Sequence, residues 1–362
     1  MKKVNRFSML FLSLVILFVA APVMAQDSLT VLCTPQEDWC VAMTEAFEAE
    51  TGIDTNYVRL SSGEGLARLR ASSESPEFSI WWGGPADAFI AAAEEGLIEP
   101  YESPAAEAIP DQYKDADGNW AGVYVGALGF CSNVDVLAEL GVEAPTSWED
   151  LLAPELEGFV AMAHPATSGT AFTAFWTVVT LKADALEEAE AGTGYDEEGA
   201  PTEAAVDEAF EYFAQLNNNI LQYTRSGSAP GSMAGQGEIA VAVIFSHDCT
   251  KLQQEGFDGI LVTTFPEEGT GYEIGGMGII TGGPEPEAAR MWYEWALQAA
   301  TQEIGPSVNS LQLPTNPDAA VSELAVDLSQ IKVIDYNFAA SGASRVAITE
   351  RFDAEIATTP TE

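Results

Sequence analysis

Twice along this chain, short apolar runs alternate with helix-like stretches that stop at glycine or at a polar turn, and this alternation restricts the fold more than any other feature. Residues 28–33 read as a strand and 41–51 as a helix with Met43, Ala46 and Phe47 on one face, stopping at Gly52. Residues 55–60 read as a strand, 66–72 as a helix, 78–82 as a buried strand, and 86–95 as a helix stopped by Gly96. The pattern resumes with a long strand at 123–131, a helix at 134–140, a strand at 159–163, helices at 170–181 and 203–217, and an apolar strand at 239–245. The acidic, glycine-rich stretch 187–202 reads as an exposed loop. Strands at 259–265 and 276–281 and a helix at 287–301 carry the chain back. Such a pattern predicts an α/β fold with mostly parallel sheets. A chain of 362 residues exceeds the size at which one core usually divides, so two α/β lobes are expected. Residues 26–130 with 275–362 form the first lobe and 131–274 the second, joined by a hinge with a ligand cleft between them.

The first 25 residues read as an address. Lys2, Lys3 and Arg6 precede an apolar run from Phe7 to Ala21, and Val23-Met24-Ala25 offers small residues for cleavage, so the mature chain is expected to begin at Gln26, in the periplasm. No later stretch approaches the roughly 18 apolar residues of a spanning helix. The charge balance, 56 acidic against 14 basic residues, gives a formal −42, and loss of the leader moves it to about −45. That surface repels nucleic acid and anionic membranes. Eight Trp and seventeen Phe in a chain that is 47% hydrophobic argue for a packed fold rather than acidic disorder. Four cysteines in an exported chain favour disulfides, and Cys33–Cys40 with Cys131–Cys249 is the pairing expected among three.

Two turns carry anion-binding chemistry. Leu60-Ser61-Ser62-Gly63-Glu64-Gly65 joins a strand to a helix, with hydroxyls and glycine where unpaired helix N–H groups point outward; a plain serine N-cap explains the same residues. His164-Pro165-Ala166-Thr167-Ser168-Gly169-Thr170 repeats the arrangement in the second lobe, and two such turns facing each other grip an anion from both sides. Ser246-His247-Asp248-Cys249 ends the most apolar strand; without a nucleophile elbow or clustered metal ligands, His247 and Asp248 read as hydrogen-bonding groups for ligand hydroxyls, with a structural pair as the alternative. In Trp81-Trp82-Gly83-Gly84 one indole is expected in the core and the other, Trp82, against a sugar face. Glu273 sits on the returning crossover, where it accepts hydroxyl hydrogen bonds or solvates the hinge.

These turns, with Trp81-Trp82-Gly83-Gly84, Ser246-His247-Asp248 and Leu313-Pro314-Thr315-Asn316-Pro317, resemble the solute-binding family of ABC transporters often labelled iron(III)-binding, over nearly the whole mature chain. The resemblance implies a type II periplasmic binding fold, no catalysis, no cofactor, and a monomer working with an inner-membrane ABC permease. Iron binders of that family use adjacent tyrosines, and none occurs here. The branch resembled more closely binds sugar phosphates, which implies a ligand set of Thr34, Ser61, Ser62, Gly63, Ser168, Gly169, Thr170, His247, Asp248 and Glu273 and no metal. A neighbouring branch binds organophosphonates, and an organophosphonate or ferric-ion binding protein of the same family is the alternative reading. An exported phosphatase or glycosidase is the rival from another class, yet no paired carboxylates stand in a specific motif.

Overall fold

The structure, a computed structural model, describes residues 28–360. The expected leader and its cleavage site lie outside these residues.

The first lobe is built from β1 (Ser28–Cys33), α1 (Glu37–Thr51), β2 (Asp54–Arg59), α2 (Ser62–Ala71), β3 (Ile80–Pro85), α3 (Ala86–Glu94) and the short β4 (Ile98–Glu99). Then β5 (Ala121–Asn133) leads to α4 (Val134–Leu140), β6 (Val160–Ala163), α5 (Gly169–Ala189), α6 (Glu203–Leu216), β7 (Ile220–Thr224), α7 (Ala229–Gln236), β8 (Val241–Phe245), α8 (Ser246–Leu252) and β9 (Leu261–Thr264). Return is by β10 (Tyr272–Ile280), followed by α9 (Pro286–Ala296), α10 (Ala299–Gln302), β11 (Leu313–Pro314) and α11 (Phe338–Glu355).

Strand order β2-β1-β3-β10-β5-β8-β6-β7 explains the two lobes. Strands β1, β2 and β3 are parallel, as are β6, β7 and β8, so each lobe has a parallel sheet covered by helices. β5, with all thirteen residues buried, pairs with β10 and β11 through its first half and with β8 and β9 through its second. It is therefore one crossing between lobes, and antiparallel β10 is the other.

Boundaries differ from the periodicity where polar first turns hide a helix start. α1 begins at Glu37 rather than 41, with Glu37 and Asp38 favoured at the positive end of the helix dipole. α2 begins at Ser62 rather than 66, because a Ser61/Glu64 capping box starts it before any apolar residue appears. β7, exposed at Leu221 and Gln222, and α7, rich in Gly, Pro and Ser, carry no clear period and were not expected as elements. Within 187–202, α5 runs on to Ala189 before the chain becomes irregular.

Each lobe has its own aromatic core. Phe47 packs on Trp292 and Trp295 in the first, with ring centroids 5.1 and 5.2 Å apart; Phe175 packs on Phe210 and Phe213 in the second. Burying each such side chain contributes about 2 kcal/mol or more from transfer alone. The C-terminal helix departs from the expected division, in which 275–362 belongs to the first lobe. Arg345 of α11 is ion-paired with Asp87 of α3 at 2.6 Å, both buried, whereas Phe352 of the same helix packs among Phe175, Phe213 and Tyr223. α11 thus straddles both lobes. The cysteines pair as Cys33–Cys40 and Cys131–Cys249.

Candidate ligand-binding site

Two strand–turn–helix junctions meet at the cleft. In the first lobe Ser61 caps α2, and Ser62 Oγ is buried without a partner. In the second, Ser168 caps α5, its Oγ accepting from the Ala171 N–H at 3.5 Å. The approach is close: a Cβ on Gly169 would lie 2.4 Å from Ser62 Oγ and 2.5 Å from the Pro85 ring. The Gly63 and Glu64 N–H groups donate to the Thr167 carbonyl at 2.9 and 3.3 Å, so they hold the lobes together rather than facing the cleft. Gly63, expected in the ligand set, is instead a point of backbone approach, where a Cβ would sit 2.2 Å from the Ala166 carbonyl oxygen. Glycine is required there for space.

A third segment closes this pole. Ser226, Gly227 and Ser228 lie against Ser168 and Thr170, and a Cβ on Gly227 would come within 2.1 Å of Thr170 Oγ1. Its sequence signal is a Ser-Gly-Ser turn before a helix with proline in its first turn, the same hydroxyl-plus-glycine pattern as the other two. Serine and threonine hydroxyls converge here from both lobes, with the first turn of α5 beside them, an arrangement suited to an anion.

The opposite pole is built on β1, β5, α8 and β10. β8 delivers His247 and Asp248 onto the first turn of α8, not the strand end itself. His247 Nε2 lies 3.9 Å from Asp248 Oδ2 and 3.9 Å from Glu273 Oε1, and the imidazole stacks on Phe245. Burial lowers the His247 pKa, opposed by the Asp248 charge. Burial, then the charges of Asp248 and Asp87, push the Glu273 carboxyl well above the usual range. Thr34 Oγ1 accepts from the Trp81 indole at 2.8 Å, and the Tyr124 hydroxyl accepts from the Gly84 N–H at 2.9 Å. Between the poles lies a cavity of about 60 Å³. It is lined by Thr34, Ser61, Ser62, Ser168, Gly169, Thr170, His247, Asp248 and Glu273, and also by Gln36, Arg59, Tyr124 and Gln312, which carry no motif.

Trp82 is not at the cavity. β3 is covered on both faces, so its tryptophans are consumed by the apolar layers on either side of the first-lobe sheet: Trp81 stacks on Phe89 at 4.2 Å, and Trp82 packs edge-on against Trp39 at 5.1 Å. A sugar cannot reach a ring that is 1% exposed. Among the described residues no group of three or more His, Cys, Asp and Glu is placed to hold a metal, and no helix is long and apolar enough to cross a membrane.

Polar links bridge the mouth: Gln36 Nε2 donates to Asp248 Oδ1 at 2.5 Å, Lys251 Nζ pairs with Asp38 at 2.9 Å, and Arg225 pairs with Glu64. Two α/β lobes on two crossing strands, closed over a polar cavity, define a binding protein of the periplasmic type. The chain belongs to the bacterial extracellular solute-binding protein family, whose model matches residues 42–331. An uncharacterized protein of Haemophilus influenzae is 34% identical over 348 residues, 94% of each chain. Among solved structures, the periplasmic binding protein AfuA of Actinobacillus pleuropneumoniae, with fructose-6-phosphate bound, superposes with a TM-score of 0.81 at 33% identity, covering 92% of this chain and 99% of that one. The periplasmic binding protein P5PA superposes with 0.79 at 29% identity, covering 91% and 99%.

Proposed function

We propose that this chain captures a phosphorylated small molecule, a sugar phosphate by preference, and presents it in the closed form to the membrane permease of an ABC importer. The observation that carries the reading is the convergence of Ser62, Ser168, Gly169, Thr170 and the 226–228 turn from both lobes, opposite His247, Asp248 and Glu273. Phosphate takes the hydroxyl and N–H pole, where each charge-assisted hydrogen bond contributes about 1.5–3 kcal/mol. Ligand hydroxyls take the other pole. The acidity of the chain does not oppose this, because distant surface charge is screened within about 10 Å at ordinary ionic strength while the cradle acts at contact. Arg59, the cation among the described lining residues, adds attraction at the mouth. The fructose-6-phosphate in AfuA supports the same ligand class.

In this reading the leader is removed after Ala25 and the mature monomer works in the periplasm, binding neither nucleic acid nor metal and catalysing nothing. Residues 26–130 and 275–362 move as one lobe and 131–274 as the other, with α11 touching both. Binding energy shifts the lobe equilibrium.

A thermal-shift series on the mature protein tests this, since a ligand of the native state raises the melting temperature by mass action. Glucose 6-phosphate and fructose 6-phosphate should raise it, and free glucose should not. A rise with ferric citrate or an alkylphosphonate alone would replace the ligand while leaving the transport role standing. Turnover of a phosphate ester would overturn both.

A further inference from the structure

The pole opposite the hydroxyl turns is one-sided in its hydrogen bonding. Asp248 and Glu273 bring carboxyl oxygens to the cavity, and Gln312 Oε1 is buried there without a partner, its residue 6% exposed. The amide N–H groups that could balance them are turned away. Gln36 Nε2 is spent on Asp248 Oδ1 at 2.5 Å, and Gln312 Nε2 points to Gln36 Oε1 at 3.4 Å. The donors left are the His247 imidazole, which already faces two carboxyls at 3.9 Å, the Thr34 and Tyr124 hydroxyls, and at the rim the Arg59 guanidinium, whose Nε is held by the Pro35 carbonyl at 2.8 Å. No Lys or Arg is ion-paired to Asp248 or Glu273 among the described residues.

Resting on the sugar-phosphate reading, we infer that this pole selects against charge at the far end of the ligand. It takes an uncharged polyhydroxyl end, whose hydroxyls donate, and rejects one that carries a carboxylate or a second phosphate. Gln36 and Gln312 are the specificity-determining residues, because their amide chain fixes which atoms face the ligand. A ligand carboxylate here would meet the buried carboxyl oxygens of Asp248 and Glu273 and an unpaired amide oxygen, and specificity built on such mismatched acceptors is strong. This divides phosphorylated sugars and sugar alcohols from phosphorylated sugar acids, a distinction the phosphate cradle cannot make.

Glucitol 6-phosphate and 6-phosphogluconate isolate the effect, since they are both acyclic and differ at C1 as alcohol and acid. Titration calorimetry of the mature protein at pH 7.5, with glucose 6-phosphate as reference, should show the alcohol binding at least about tenfold tighter than the acid. Gln312→Arg replaces the orphan acceptor with donors and should shrink that ratio below about threefold. Glu273→Gln, which keeps the shape, should shrink it as well, so the test does not depend on one variant folding. Equal affinity for acid and alcohol, equal rejection of both, or a ratio unmoved by both variants overturns the inference while the sugar-phosphate reading stands on glucose 6-phosphate. Failure to bind all three, glucose 6-phosphate and both acyclic ligands, removes that reading, and this inference with it.

Discussion

His164 Nε2 donates to the Ala357 carbonyl at 2.7 Å while its Nδ1 accepts from the Ala166 N–H at 3.2 Å, so the last residues of the chain set the tautomer of the imidazole on which the second-lobe turn is built. The ring is fully buried and edge-on to Phe352 at 5.1 Å. Replacing His164 with Ala removes both bonds and this packing, and should cost about 2–4 kcal/mol of unfolding free energy and weaken glucose 6-phosphate binding. Burial lowers the pKa of this imidazole from 6.5, with Asp353 in partial opposition. Below pH 6.5 the unfolded chain accepts a proton that folded His164 refuses, so stability falls as pH drops through that region. His164→Gln should flatten this slope in calorimetric scans from pH 7.5 to 5; an unchanged slope would show that other groups set it.

Gly169 tests the closed geometry. Alanine there would place a methyl 2.4 Å from Ser62 Oγ and 2.5 Å from Pro85, both in the other lobe. Gly169→Ala should therefore weaken ligand binding at least about tenfold, mainly through faster dissociation, and change the melting temperature of the free protein little. Small-angle scattering should find the variant more open at saturating ligand. A closed, tight-binding variant would mean that the turns do not meet in the bound state.

Glu273 holds a buried carboxyl at the cavity. Its folded-state pKa is raised well above 4.5, so its favourable contribution is present in acid and is lost as pH rises towards the folded value. Glu273→Gln, neutral throughout, should melt higher than the parent at pH 8, with the gap closing towards pH 4.5. A gap that widens in acid would reverse the sign of the shift.

The two disulfides should contribute unequally. Cys131–Cys249 closes a separation of 118 residues and Cys33–Cys40 one of seven, which in the chain-entropy account correspond to about 5 and about 2 kcal/mol. Paired serine variants measured by urea unfolding give that order directly. Both bridges also brace turns that line the cavity. Cys33 precedes Thr34, and Cys249 follows Asp248, so each serine pair should weaken glucose 6-phosphate binding more than it weakens binding of inorganic phosphate.

Local chemistry made part of the site legible in the sequence. Hydroxyls and glycine between a strand and a helix marked the turns at Ser62 and Ser168, and a polar pair ending an apolar strand marked His247 and Asp248; all of these line the cavity. Gln36 and Gln312 were not legible, because an amide carries no motif and these two meet only through a fold that brings residues 276 apart in sequence together. The 226–228 turn was hidden in a segment whose composition reads as loop. Trp82 was misread because aromatics beside glycines at a strand end look like a sugar platform; only knowledge that both sheet faces are covered places it in the core. The strand alternation likewise foretold two lobes but not a last helix shared between them, since α11 buries Ser341, Gly342 and Arg345 along with Ile348 and Phe352 and so shows no clear apolar face.

The Asp87–Arg345 pair has a consequence for the order in which this molecule can be completed. The two residues lie 258 positions apart, and β10, which sits between β3 and β5, also comes late in the chain. Built from the N-terminus, the first lobe therefore waits for β10 to fill the gap in its sheet and for the final helix to bring a guanidinium to Asp87. The second lobe, continuous from β5 to β9, can assemble most of its core first. Both lobes are sealed by the same last helix, but only the one that begins the chain must also wait for a central strand of its sheet.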